Sequence, residues 1–115
     1  MPAITRLEPG RRMSQAVIHG DTVYLAGQVG EGATVTEQAQ DALAQVDRLL
    51  ALAGSDKSRI LSCTVWLADI SDFAAMNAVW DAWIDPANPP ARATGEARLA
   101  TPDYKVEFIV VAARG

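Results

Sequence analysis

Residues 34–68, TVTEQAQDALAQVDRLLALAGSDKSRILSCTVWLA, decide the fold. Thr34 and Glu37 have the spacing of a capping box: the hydroxyl accepts from the Glu37 amide while the carboxylate reaches back. Beyond them Ala39, Ala42, Leu43, Val46, Leu49, Leu50 and Ala53 recur at three- and four-residue steps. That pattern predicts an amphipathic helix of about five turns, closed by a left-handed Gly54. Gln38, Asp41, Gln45 and Arg48 are its expected solvated face. From Arg59 to Ala68 the period changes to two, predicting a central strand. Leu61, Cys63, Val65 and Leu67 share one face of it; Ser62, Thr64 and Trp66 take the other.

Towards the N-terminus, residues 3–7 read as a short edge strand, and Ser14–Ile18 and Thr22–Ala26 as a hairpin about His19-Gly20-Asp21. Gly27, Gly30 and Gly32 surround Gln28, but the loop lacks the lysine and spacing of a phosphate-binding loop, so positive φ at a strand exit is expected. Towards the C-terminus, Ser71-Asp72 offers an N-cap for a second helix with the stripe Phe73, Met76, Val79, Trp80 and Trp83, ended by Asp85-Pro86. Pro89-Pro90 leads into a strand at Arg92–Leu99, and Thr101-Pro102-Asp103 turns the chain into a last strand, Tyr104–Ala113. The order βββαβαββ predicts a single α+β domain over residues 1–115. Right-handed crossovers place both helices on one face of a single mixed sheet. The other face is left apolar, so self-association through it is expected, most simply as a closed ring.

The composition narrows the function classes. Ten Lys and Arg against fourteen Asp and Glu give a net charge of −4, with the basic residues scattered, which argues against nucleic acid. One cysteine, Cys63, and one histidine, His19, leave no disulfide and no thiolate or multi-imidazole metal site; Cys63 reads as a buried structural thiol and His19 as a turn-flanking surface residue. No run approaches the ~18 apolar residues of a membrane span. No secretory pattern opens the chain, and a cytoplasmic location is expected.

Two charges stand out. Arg92 opens one predicted strand and Glu107 lies inside the next, both strands being otherwise small or apolar. They are either a structural ion pair on neighbouring strands or the two ends of a small polar site.

Ser14-Gln15-Ala16-Val17, Tyr24-Leu25-Ala26-Gly27-Gln28, Asp69-Ile70-Ser71-Asp72-Phe73-Ala74-Ala75-Met76-Asn77, Pro90-Ala91-Arg92 and Lys105-Val106-Glu107 together resemble the RidA family, also called YjgF/YER057c/UK114. The resemblance runs from Ser14 to Ala112. It implies a chorismate-mutase-like α+β domain assembled as a homotrimer, with clefts between subunits. It also implies hydrolysis of reactive 2-imino acids, which arise through enamines such as 2-aminoacrylate, to 2-keto acids and ammonia, with no metal or cofactor. In that reading Arg92 anchors the substrate carboxylate through a two-pronged pair, and Glu107 positions the attacking water. Met13, Ala26, Gly27 and Thr94 line the cleft. Where this chain has Met13, Ala26 and Thr94, the family usually has tyrosine and often serine and cysteine, so the polar lining differs. The alternative is a non-catalytic, carboxylate-binding or chaperone-like protein. An endoribonuclease label also exists in the family; the acidic charge and single histidine give it little support.

Overall fold

The computed structural model describes residues 2–115. The chain folds as β1 (Ile4–Pro9), β2 (Ser14–His19), β3 (Thr22–Leu25), α1 (Val35–Leu52), β4 (Ile60–Leu67), α2 (Phe73–Trp83), β5 (Ala91–Glu96) and β6 (Val106–Ala113). The strands form one six-stranded mixed sheet in the order β1-β2-β3-β6-β4-β5. Only β4 and β5 pair in parallel; every other pairing is antiparallel. The last strand therefore inserts between β3 and β4, and the strands of Arg92 and Glu107, expected to be neighbours, are separated by β4.

Helix α1 starts as its sequence dictates. The Glu37 amide donates to Thr34 Oγ1 at 3.2 Å, and the Thr34 amide donates to Glu37 Oε1 at 3.2 Å. Its apolar stripe packs against one sheet face together with Met76 and Trp80 of α2. Val106, Phe108, Val110 and Ala112 of β6 are fully buried beneath the helices. The alternate β6 residues, Glu107, Ile109 and Val111, are half-buried and point to the other face. On that face one row runs Arg6, Val17, Tyr24, Val111, Ser62 and Ala91 across all six strands. Tyr24 in this row is 49 % exposed.

Several local expectations differ from the structure, each for a physical reason. Leu61 does not share a face with Cys63: a bulge between Ile60 and Ser62 ejects it, 52 % exposed, and buries Ile60 instead. Gln38 leaves the solvated face. Its Nε2 donates to the carbonyls of Gly32 (3.0 Å) and Asp103 (2.9 Å), and its Oε1 accepts from the Lys105 amide at 2.8 Å. Its amide so pins the connections before α1 and before β6, with every hydrogen bond needed for burial made. The cap near α2 lies earlier than Ser71-Asp72. Asp69 accepts from the Ser71 amide and opens a 3-10 turn (Ile70–Asp72) that runs into α2, whereas Asp72 makes no side-chain cap. Phe73, on this first turn, is 42 % exposed rather than core. β5 ends at Glu96 and β6 begins at Val106, so Arg98 and Tyr104 belong to the connection between them.

Of the three loop glycines, Gly32 alone has a positive φ, +149°. Gly30 serves a different need. A Cβ there would sit on the carbonyl of Gln38 and 2.7 Å from the Ala42 amide, so its backbone lies flush against α1. Gly30→Ala is accordingly expected to destabilise the fold by ~1–3 kcal/mol, because the obstacle is helix backbone and cannot rotate away. Thermal unfolding checks this; an unchanged midpoint would refute the close approach as a constraint.

Candidate active site

Strand register decides where the two singled-out charges go. Arg92 pairs with Cys63, and Cys63 with Val110, two residues of the buried core. Residues paired across a ladder share a face, so Arg92 projects under α2. Its guanidinium carbon lies 5.0 Å from the centre of the Trp80 ring, and Nη1 lies 4.0 Å from the Met76 sulfur. Glu107 instead pairs with Trp66, and Trp66 with Gly95, on the face away from the helices. Within one chain the two charges are thus on opposite sides of the sheet.

An ion pair between them is excluded by that geometry. Among the described residues the one salt bridge joins Arg48 to Glu8 at 2.6 Å, across the molecule's surface. The Arg92 guanidinium has an aromatic face and a thioether beside it and no carboxylate partner. Thr94, two residues on and on the same face opposite buried Val65, carries a buried hydroxyl with no hydrogen-bond partner. An unpaired buried hydroxyl costs roughly 1–3 kcal/mol, so the two side chains together are an incompletely satisfied polar corner at the β5 edge.

Around Glu107 the backbone has been opened. The Phe108 amide donates to the Gln28 carbonyl (2.9 Å) and the Gln28 amide to the Phe108 carbonyl (2.8 Å), whereas Tyr24 is opposite Val111. Three residues on one side therefore face two on the other, and the surplus falls at Ala26-Gly27, a bulge in the β3 continuation. The buried Gln28 amide clamps it, donating to Gln15 Oε1 and to the Ala26 carbonyl, both at 3.0 Å. A Cβ on Gly27 would collide with the Glu107 carboxylate and lie 2.8 Å from its Cδ. Gly27 has no positive φ; it is glycine because the carboxylate lies over it. Met13, in the β1–β2 connection, is 50 % exposed.

Five of the six singled-out residues thus fall into two separate groups, with Met13 in the β1–β2 connection. Arg92 and Thr94 lie on the helix side of an edge strand; Glu107, Gly27 and Ala26 lie around the bulge on β3 and β6. Clefts of about 490, 740 and 360 Å³ open between α1 and α2, beside the β5–β6 connection and at the β4 bulge. None is lined by any of these six residues.

Reading the sequence missed Trp80, which the helical stripe marked only as core, as the neighbour of Arg92. An aromatic on α2 opposite a lone strand arginine was the available signal. Among the described residues no three of His, Cys, Asp or Glu cluster to hold a metal, and no helix is long and apolar enough to cross a membrane. Cys63 is buried and His19 exposed at the β2–β3 turn.

Residues 3–114 match the family described as Endoribonuclease L-PSP. The RutC family protein YoaB of Escherichia coli is 47 % identical over 112 residues, covering 96 % of this chain and 97 % of that protein. A 2-iminobutanoate/2-iminopropanoate deaminase of Capra hircus is 34 % identical over 110 residues, covering 89 % of this chain and 80 % of that protein. Among solved structures, a YjgF-family protein of Neisseria meningitidis superposes with a TM-score of 0.96 at 43 % identity, covering 98 % of this chain and 96 % of that one.

The thiol beside Arg92 yields a test of the local packing. Burial pushes Cys63 up to about 12 from an ordinary value of 9.0, the nearby Arg92 charge opposing only in part. Native protein at pH 8 is expected to react with a thiol reagent orders of magnitude more slowly than unfolded protein. Since the unfolded thiol ionises first, the stability contributed by the neutral buried thiol is complete below pH 9 and falls as the pH rises from 9 towards 12. Reaction at the unfolded rate would show that the β4–β5 pairing opens freely.

Proposed function

Since the chain belongs to the RidA (YjgF/YER057c/UK114) family, we propose that it hydrolyses reactive 2-imino acids to 2-keto acids and ammonium. The observation that carries this reading is Arg92: a guanidinium seated on an aromatic ring, with no carboxylate partner of its own, is a receptor for a carboxylate. A 2-imino acid has that carboxylate next to its electrophilic carbon.

In the proposed reaction Arg92 fixes the substrate carboxylate and so the position of the imine carbon. Glu107 holds a water and takes its proton as the oxygen bonds to that carbon. The C=N π pair of the protonated imine moves to nitrogen and gives a neutral carbinolamine. Glu107 returns its proton to that nitrogen and takes the hydroxyl proton as C=O forms and the C–N bond breaks, and the departing ammonia picks up that proton as ammonium. Water is the co-reactant, and neither oxidant nor reductant is needed. Thr94, with its unpaired hydroxyl, would add a hydrogen bond beside Arg92; Met13, Ala26 and Gly27 would shape the half-site of Glu107.

One chain cannot bring both charges to one substrate, because they lie on opposite faces of its sheet. The reading therefore requires Arg92 of one subunit to meet Glu107 of the next, in a homotrimer built on the open face that carries Tyr24, Ile109 and Val111. A second reading, carboxylate binding without turnover, draws on Met13 and Ala26, which bring no polar side chain, and on YoaB, which is named for its family and not for a reaction.

Coupling the protein to a pyridoxal-phosphate-dependent threonine dehydratase, with semicarbazide competing for the imine, tests both. Keto-acid release is expected to accelerate over buffer, and Arg92→Ala and Glu107→Gln each to lose at least about tenfold of that acceleration. Equal rates with and without protein, or full activity in Arg92→Ala, would refute the hydrolase. Binding of 2-oxobutyrate that Arg92→Ala abolishes, without turnover, would select the second reading.

A further inference from the structure

The side chains around Arg92 are unusual for a buried-facing cation. Arginines turned towards a core are ordinarily held by a carboxylate, which neutralises the charge and occupies the guanidinium donors. Here the neighbour is Trp80, 6 % exposed on α2. Its ring stacks on Phe108, with centroids 6.2 Å apart and planes at 14°, and packs at 5.5 Å against Trp83. Phe108 is fully buried on β6, so the indole is fixed from below by the sheet and from the side by its own helix. The guanidinium lies above this ring, next to the sulfur of fully buried Met76.

We propose that Trp80 is a positioning residue: it aims the Arg92 fork by cation–π contact in place of a carboxylate. The distinction matters chemically. A ring face attracts the guanidinium through its quadrupole and accepts none of its in-plane N–H bonds, so the charge and the donors stay available to an incoming anion. A carboxylate in the same place would orient the fork as well but would compete with the ligand for it. The Trp80–Phe108 stack also ties the aim of Arg92 to β6, the buried central strand of its own sheet.

The inference rests on the carboxylate-anchor role given to Arg92 above, and the test separates the two. In proton–nitrogen spectra, the Arg92 Nε–Hε resonance, identified by its loss in Arg92→Lys, is expected well upfield of the other arginines because it sits over the indole ring. Trp80→Leu is expected to return it to the ordinary range, and Trp80→Phe to shift it part of the way. Calorimetry with 2-oxobutyrate is expected to give a dissociation constant weakened about tenfold or more in Trp80→Leu, less in Trp80→Phe. Val79→Ala, on the side of α2 that lines the cleft towards α1, serves as the packing control and should change neither reading. An ordinary Arg92 resonance in the wild type, or an unshifted one in folded Trp80→Leu, would overturn the proposal. So would 2-oxobutyrate affinity unchanged in Trp80→Leu but lost in Arg92→Ala. If Trp80→Leu fails to fold, the wild-type resonance and the Trp80→Phe variant decide. If the wild type does not bind 2-oxobutyrate at all, the anchor role falls, and the spectra alone still settle what holds Arg92.

Discussion

The two-residue period of β6 is the constraint on which the rest depends. Inserted between β3 and β4, this strand gives Val106, Phe108, Val110 and Ala112 to the helices and Glu107, Ile109 and Val111 to the opposite face. A slip of one residue would carry the Glu107 carboxylate into the buried layer beneath the helices and expose Phe108, exchanging a buried aromatic ring for a desolvated charge. The hydrophobic pattern therefore fixes the side on which the acid appears. The bulge at Ala26-Gly27, clamped by Gln28, then clears the backbone from its path.

That sorting separates two charges that would otherwise neutralise each other. In one subunit Arg92 and Glu107 are shielded from one another by the sheet itself, and neither spends its charge on the other. A polypeptide this short has few ways to keep an arginine and a glutamate both unpaired without destabilising its core. Placing them on opposite faces achieves it with ordinary strand geometry.

What could be read in the sequence was local in origin. The capping box of α1, the hairpin at Gly20-Asp21, the left-handed Gly54 and the alternation of β6 all arise from residues within a few positions of each other, and all appear as expected. What could not be read depended on distant partners. The insertion of β6 beside β3 pairs Thr22 with Ala113 and Tyr24 with Val111, far apart in the chain, and no periodicity encodes it. Gln38 looked like surface because two of its three backbone partners, at Asp103 and Lys105, lie in the distant connection before β6. Leu61 broke its alternation at a bulge, which leaves no mark in an otherwise regular apolar run. At the site, Arg92 and Glu107 were conspicuous as isolated charges, but their faces, and the role of Trp80, required the register of β4 with both neighbours.

Strand β5 is an outer strand of the sheet, and a bare edge invites pairing with any extended chain. Pro89-Pro90 at its entry removes two donors, and the strand is only six residues long, Ala91–Glu96. An inward-turned charge is a further device by which natural sheets deter such pairing, and Arg92 is one. The residue read as the ligand anchor is thus also a guard against aggregation. Exchanging it for an apolar side chain removes both protections at once, so loss of activity in such a variant carries meaning only alongside proof that the protein has stayed in solution.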